Sequence, residues 1–144
     1  MIDVSNLSVR LAGKPVVQDV SFTAEAGTLT AICGPNGSGK TTTMKAVSGE
    51  LAYHGTVHMN GAEIGGLQAW QLAEMRGVLP QASSISFPFT VREIVRMGLT
   101  SGRNRHPEQA DRIATEALAA VDLSGFEGRF YQELSGGEQQ RVQL

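Results

Sequence analysis

Apolar and polar residues alternate along the chain between residues 2 and 25. Many of the apolar positions are β-branched, and a period of two is the pattern of half-buried strands. The stretch Ala12-Gly13-Lys14-Pro15 interrupts the alternation and predicts a turn between two strands. Residues 28–33 are short, apolar and rich in β-formers, which predicts a buried central strand of a parallel sheet with Cys33 packed inside it.

A glycine-rich loop follows this segment directly, and a helix is predicted after the loop. The helix should run from Lys40 to Ser48 and close at Gly49, because glycine suits the left-handed conformation past a helix end. The same reasoning predicts a strand at residues 55–59 ending in the hairpin turn Asn60-Gly61, a short helix at 67–75, and a short strand at 77–80.

The pattern becomes helical in the second part of the chain. Thr90 and Glu93 form a capping box that should open a helix fading at Gly98. Pro107 suits the first position of another helix, whose buried face is predicted to comprise Ala114, Ala117, Leu118 and Val121. We therefore predict one domain in two parts, an α/β part at residues 1–82 and a helical part at residues 83–144.

Composition and charge name no partner by themselves. The chain has 144 residues, 41% of them hydrophobic and 18% charged, with a formal net charge of −2, as expected of a globular domain. The chain has no block of basic residues of the kind that would predict a nucleic-acid partner. Three features favour a cytosolic protein: the chain has a single cysteine, it shows no leader pattern, and it lacks an apolar run of about 20 residues. Any contact with a membrane would then need a partner.

The segment Gly34-Pro35-Asn36-Gly37-Ser38-Gly39-Lys40-Thr41 fits the pattern G-x-x-x-x-G-K-[ST] at every fixed position. Glycines let the backbone curl around one anion, and the helix that follows adds the positive end of its dipole. Lys40 can reach the β- and γ-phosphates of a nucleotide, and the Thr41 hydroxyl is placed to ligate Mg²⁺. We predict a nucleotide site at these residues and Thr42, with Lys40 in a catalytic role.

A second segment, Leu134-Ser135-Gly136-Gly137-Glu138, is called the signature segment below. Ser135 and Glu138 form a capping box for a final helix. A capping box does not explain two glycines, each of which costs helix stability by about 1 kcal/mol. Gly136 and Gly137 therefore indicate a surface that another group approaches closely, and an exposed helix N-terminus suits a phosphate.

With these motifs the chain resembles the ATP-binding cassette family, whose signature reads LSGGQ. The resemblance implies a P-loop NTPase (RecA-like) core with an antiparallel β subdomain and a small α-helical subdomain, binding ATP and Mg²⁺. It also implies a homodimer in which Ser135, Gly136, Gly137 and Glu138 of one subunit close over the nucleotide held by its twin. Gln81 falls where the family has a catalytic glutamine that touches Mg²⁺ and the attacking water.

The sequence departs from the family pattern in two places. The family commonly stacks adenine on an aromatic residue near the end of the first strand, where this chain has Leu11. The family also continues, past the point matched by Leu144, into a strand ending in Asp-Glu and later a switch histidine. The resemblance thus describes an N-terminal portion of a cassette, incomplete at its C-terminus, and we expect these 144 residues alone to lack ATPase turnover.

The stretch from Ser86 to Val91, with Met97-Gly98 at the helix end, resembles importers of iron chelates and cobalamin, hemin importers among them. This implies an ATPase on the inner face of the membrane, bound to two permease subunits and served indirectly by a periplasmic binding protein. Ribosome-associated cassette ATPases and non-catalytic nucleotide-binding modules remain alternatives. Phe87-Pro88-Phe89 is compatible equally with core packing and with a groove for a partner helix.

Overall fold

The computed structural model describes residues 1–79, 87–99 and 107–144. These form two compact units, Met1–Gly77 and Val78–Leu144. The predicted boundary after residue 82 falls outside the described residues and stays a prediction. The strands are β1 (Ile2–Leu11), β2 (Lys14–Ala24), β3 (His54–Met59) and β4 (Ala62–Glu63). The α-helices of the described part are α1 (Lys40–Val47), α2 (Ala69–Met75), α3 (Val91–Leu99), α4 (Pro107–Ala120) and α5 (Gly136–Val142).

The first unit is built on an antiparallel sheet with the strand order β2-β1-β3-β4. The alternation predicted both β1 and β2, and the hairpin predicted at Asn60-Gly61 joins β3 to β4. The alternating apolar side chains of β1 and β3 point to one side and form a core with α1 and α2. Its most buried members are Val4, Leu7, Val9, Val57 and Ala46.

Helix α1 ends as the sequence predicted. Ser48 is its C-cap and Gly49 follows with a φ of 75°. The Gly49 N–H donates to the Ala46 carbonyl at 3.0 Å, and the Glu50 N–H donates to the Lys45 carbonyl at 2.8 Å. This pair of bonds is the Schellman motif, which satisfies the last carbonyls of a helix.

The prediction of a central strand at residues 28–33 is wrong for this structure. These residues form no strand, Leu29 is 97% exposed, and Cys33 is exposed rather than buried. A strand needs the hydrogen bonds of a neighbour, and no described strand pairs with this segment. Residues 77–79 likewise form no strand, with Val78 and Leu79 about half exposed for the same reason.

The second unit packs α3, α4 and α5 around a separate core. Its buried members are Val91, Leu118, Leu123, Tyr131, Leu134 and Val142. The predicted capping box opens α3: the Thr90 N–H donates to Glu93 Oε2 at 2.7 Å, and the Glu93 N–H donates to Thr90 Oγ1 at 3.4 Å. None of the described helices is both long and apolar enough to cross a bilayer.

The buried face predicted for α4 is only partly correct. Ala114 and Leu118 are buried, whereas Ala117 is exposed and Val121 half-buried. Ala117, Leu118 and Val121 line an apolar groove of about 460 Å³ that also borders α3 and the end of α5. Ala117 is exposed because no described element fills this groove.

Candidate functional site

The glycine-rich loop of residues 34–39 surrounds the side chain of Lys40. Lys40 is half-buried, and its Nζ donates to the carbonyl oxygens of Gly34 at 2.8 Å and Pro35 at 2.7 Å. The ammonium group therefore lies inside the curve of the loop. A phosphate in that position would exchange two neutral carbonyl acceptors for a charged one, which makes a stronger hydrogen bond to a cation.

The loop is shaped at its end by Gly39, a position where a side chain would not fit. Gly39 has a φ of 89°, and a Cβ added there would come within 3.0 Å of the Val16 carbonyl oxygen on β2. At Gly34 a Cβ would lie 2.9 Å from Ser38 Oγ, a contact that rotation of the serine side chain can relieve. The end of the loop is thus pressed against β2, and this close approach requires the absence of a side chain at Gly39.

Helix α1 begins directly after the loop, with Gly39 as its N-cap. The Gly39 carbonyl accepts the first helical bond from the Thr43 N–H at 2.8 Å. Thr43 is buried and Thr42 half-buried, whereas Thr41 is exposed on the first turn of the helix. The positive end of the helix dipole, the Lys40 ammonium and the Thr41 hydroxyl all belong to this turn. These groups fit an anionic phosphate and a divalent cation bound to it.

The signature segment is held by the capping box that the sequence predicted. Ser135 is the N-cap of α5, and its Oγ donates to Glu138 Oε2 at 2.6 Å. The Ser135 N–H donates to the same carboxylate oxygen at 2.7 Å, while the Glu138 N–H donates back to Ser135 Oγ at 3.5 Å. Both residues of the capping box are therefore hydrogen-bonded to each other within the chain.

These hydrogen bonds also set the ionisation of the signature carboxylate. The Ser135 hydroxyl and then the Ser135 backbone N–H hold the pKa of Glu138 below its ordinary value of 4.5. The charges of Arg129 and Arg141 contribute in the same direction. Glu138 is consequently an anion at neutral pH. Sequence reasoning did not single out these two arginines, because only folding brings Arg129 near the carboxylate.

Gly136 and Gly137 have no structural reason to be glycine within the described chain. Both are exposed, neither has a left-handed φ, and a Cβ added at either would meet nothing within 4 Å. Alanine would be better for the helix at both positions. The geometry is consistent with a surface kept bare for an external group.

The other predicted positions have mixed outcomes. Leu11 is 42% exposed at the end of β1. Gln81 lies outside the described residues, so its predicted contacts with Mg²⁺ and water stay predictions. Phe87 is 69% exposed and Phe89 half-buried, with ring centroids 6.1 Å apart. Phe87 is therefore not a core residue.

Comparison with known proteins adds a family and a fold. The sequence pattern of the ABC transporter family matches residues 17–144. The hemin import ATP-binding protein of Rhizobium leguminosarum is 74% identical over 144 residues, which is all of this chain and 54% of that protein. The chain thus spans about half the length of the curated relatives it matches.

Solved structures agree on the fold. The ADP conformation of an ATP-binding cassette of an ABC transporter has a TM-score of 0.81 at 25% identity, covering 99% of this chain and 61% of that one. A dimeric ATP-binding cassette in a post-hydrolysis state, bound to ADP and Pi, also has a TM-score of 0.81, at 24% identity, covering 99% of this chain and 67% of that one. The predicted fold class, a P-loop ATPase portion with an antiparallel subdomain and a helical subdomain, is confirmed.

Proposed function

Because the chain belongs to the ABC transporter family, we propose that it is the nucleotide-binding portion of the ATPase subunit of an importer, with hemin as the cargo. The observation that carries the proposal is the position of the Lys40 ammonium inside a loop whose glycines leave room for phosphate. The hemin assignment is supported by the name of relatives that are 74% identical over the whole chain.

In this proposal the residues of the loop bind ATP. The loop backbone and the N-terminus of α1 hold the phosphates, Lys40 supplies the positive charge, and the Thr41 hydroxyl holds Mg²⁺ with Gln81. When bound, Mg²⁺ neutralises charge on the phosphates during phosphoryl transfer. Leu11 offers the base an apolar contact without ring stacking, so we expect weak discrimination between adenine and other bases.

In this proposal the signature segment of one subunit acts on the nucleotide that the other subunit of a homodimer holds. ABC ATPase domains dimerise, as the post-hydrolysis cassette bound to ADP and Pi illustrates. We propose that Ser135 and the bare turn at Gly136 and Gly137 close over the nucleotide held by the second subunit. Two membrane permease subunits then anchor the dimer to the inner face of the membrane, and a periplasmic binding protein delivers the cargo to them.

The experiment needs a complete cassette, made by joining the remaining part of the Rhizobium leguminosarum protein after Leu144. Replacing Ser135 by Arg should leave ATP affinity unchanged but abolish phosphate release, because a long cation blocks closure across the dimer. Both quantities are measured on the same preparation, with Lys45→Ala on α1 as a surface control. Undiminished turnover in Ser135→Arg would contradict the assigned role, and simultaneous loss of binding would indicate misfolding instead.

A further inference from the structure

Two segments of the helical unit that are distant in sequence are joined by hydrogen bonds. Residues 127–132, called the strap below, run alongside residues 87–92. The bonds comprise Tyr131 N to Phe89 O at 3.0 Å, Val91 N to Arg129 O at 3.0 Å, Arg92 N to Glu127 O at 3.1 Å, and Gln132 Nε2 to Phe87 O. Thr90 and Phe130 form a β-bridge between them. The strap therefore fixes the start of α3.

Tyr131 connects this strap to helix α5. Its carbonyl oxygen accepts a bond from Gln139 Nε2 at 3.1 Å, and its hydroxyl accepts one from Gln143 Nε2. The side chain is 2% exposed and packs in the same core as Leu134 and Val142. Tyr131 thus binds Phe89, two residues before α3, through its backbone N–H. Its two oxygens hold Gln139 on α5 and Gln143, the C-cap of that helix.

Helix α5 needs such an external support. It has seven residues, and helices shorter than about 12 residues are marginal on their own. Its first turn carries two glycines, which weaken it further. The direction in which the signature segment faces is therefore set by tertiary contacts, and Gln139 and Gln143 each donate one of these contacts to Tyr131.

We infer that Tyr131 is a positioning residue for the signature segment: it links residues 87–92 to α5 and so fixes the direction in which the N-terminus of α5 faces. The inference rests on the proposed function, since it assigns Tyr131 a role in nucleotide-driven closure. If Tyr131 only filled the core, a phenylalanine would serve as well, because the ring does the packing. The hydroxyl and its bond to Gln143 separate the two roles.

The test compares Tyr131→Phe with the parent in the completed cassette. We expect kcat to fall about fivefold, the factor that corresponds to one ordinary hydrogen bond, with KM and the number of ATP sites per subunit unchanged. Tyr53→Phe is the matched control: it removes the only other tyrosine hydroxyl, which is buried and has no hydrogen-bond partner among the described residues. Its kcat should equal that of the parent.

A double-mutant cycle with Gln143→Met shows whether the hydroxyl acts through Gln143. Tyr131→Phe should have no further effect on kcat once Gln143 is replaced. Hydrogen exchange gives a readout that is independent of activity: amides of α5 should exchange faster in Tyr131→Phe, while those of α4 do not change. Unchanged kcat and unchanged α5 exchange, or fully additive effects in the cycle, would overturn the inference. An inactive parent would count against the proposed function, and the exchange measurement would still decide the role of Tyr131.

Discussion

Replacing Gly137 by alanine should stabilise the chain while impairing the activity of the complete cassette. Gly137 occupies the second position of α5, its φ is not left-handed, and an added Cβ has no atom within 4 Å. The substitution therefore introduces neither strain nor a clash. Alanine should raise the free energy of unfolding by about 0.5–1 kcal/mol, through better helix propensity and a less flexible unfolded chain.

The effect on activity should have the opposite sign. If a nucleotide held by the second subunit approaches this turn closely, the added methyl group overpacks the contact, at a cost of about 1–3 kcal/mol. Turnover would then fall roughly 5- to 150-fold, since about 1.4 kcal/mol corresponds to a factor of ten. The thermal midpoint should rise by about 1–4 °C. Thermal unfolding and phosphate release, measured on the completed cassette, give both quantities.

Gly98→Ala on α3 is the matched control. Gly98 is also helical and exposed, has no left-handed φ, and lies outside the signature segment; a Cβ there meets no described atom within 4 Å. It should raise stability to a similar extent and leave turnover intact. Stabilisation with full activity in Gly137→Ala would refute the idea of a closely approached surface. Destabilisation would instead refute the description of this turn as open.

Two further predictions concern ionisation and exposure. The pKa values of Glu93 and Glu138 are lowered by bonds from Thr90 and Ser135, so their charged forms stabilise the fold above pH 4.5 and this contribution is lost as pH falls below it. The free energy of unfolding, measured with urea between pH 6 and 3, should fall less steeply with decreasing pH in Glu93→Gln than in the parent. An identical pH dependence in the two proteins would contradict the assignment. Cys33, being exposed, should react with a thiol reagent in the folded 144-residue chain as fast as in urea; strong protection would mean that the segment is covered.

Local signals in the sequence predicted most of the elements correctly. The alternation in β1 and β2, the Asn60-Gly61 hairpin, the glycine after α1 and both capping boxes depend on neighbours within a few residues. Interactions between residues so close in the sequence can be predicted from the sequence alone. The glycine-rich loop and the helix start at Lys40 belong to the same class, because the pattern specifies glycines, lysine and helix start together; phosphate binding by the loop stays a prediction.

Features that depend on distant partners could not be predicted in the same way. The strand expected at residues 28–33 requires a neighbour, and the burial of Cys33 followed from that strand; no described strand supplies it. Ala117 fits a helical apolar face yet borders an open groove. Tyr131 carries no sequence signal for the role proposed here, since Phe89, Gln139 and Gln143 meet it only after folding.

The central claim is that residues 34–42 bind the phosphates of ATP, with Lys40 as their main positive partner. The most direct measurement is a titration of the 144-residue chain with a fluorescent ATP analogue and Mg²⁺, comparing Lys40→Ala with Lys45→Ala. Both variants remove one lysine charge from α1, but only Lys40 reaches into the loop. A lost bond to a charged group corresponds to about 1.5–3 kcal/mol, so Lys40→Ala should weaken binding at least tenfold while Lys45→Ala leaves it unchanged. Equal affinity of Lys40→Ala and the parent would contradict the account.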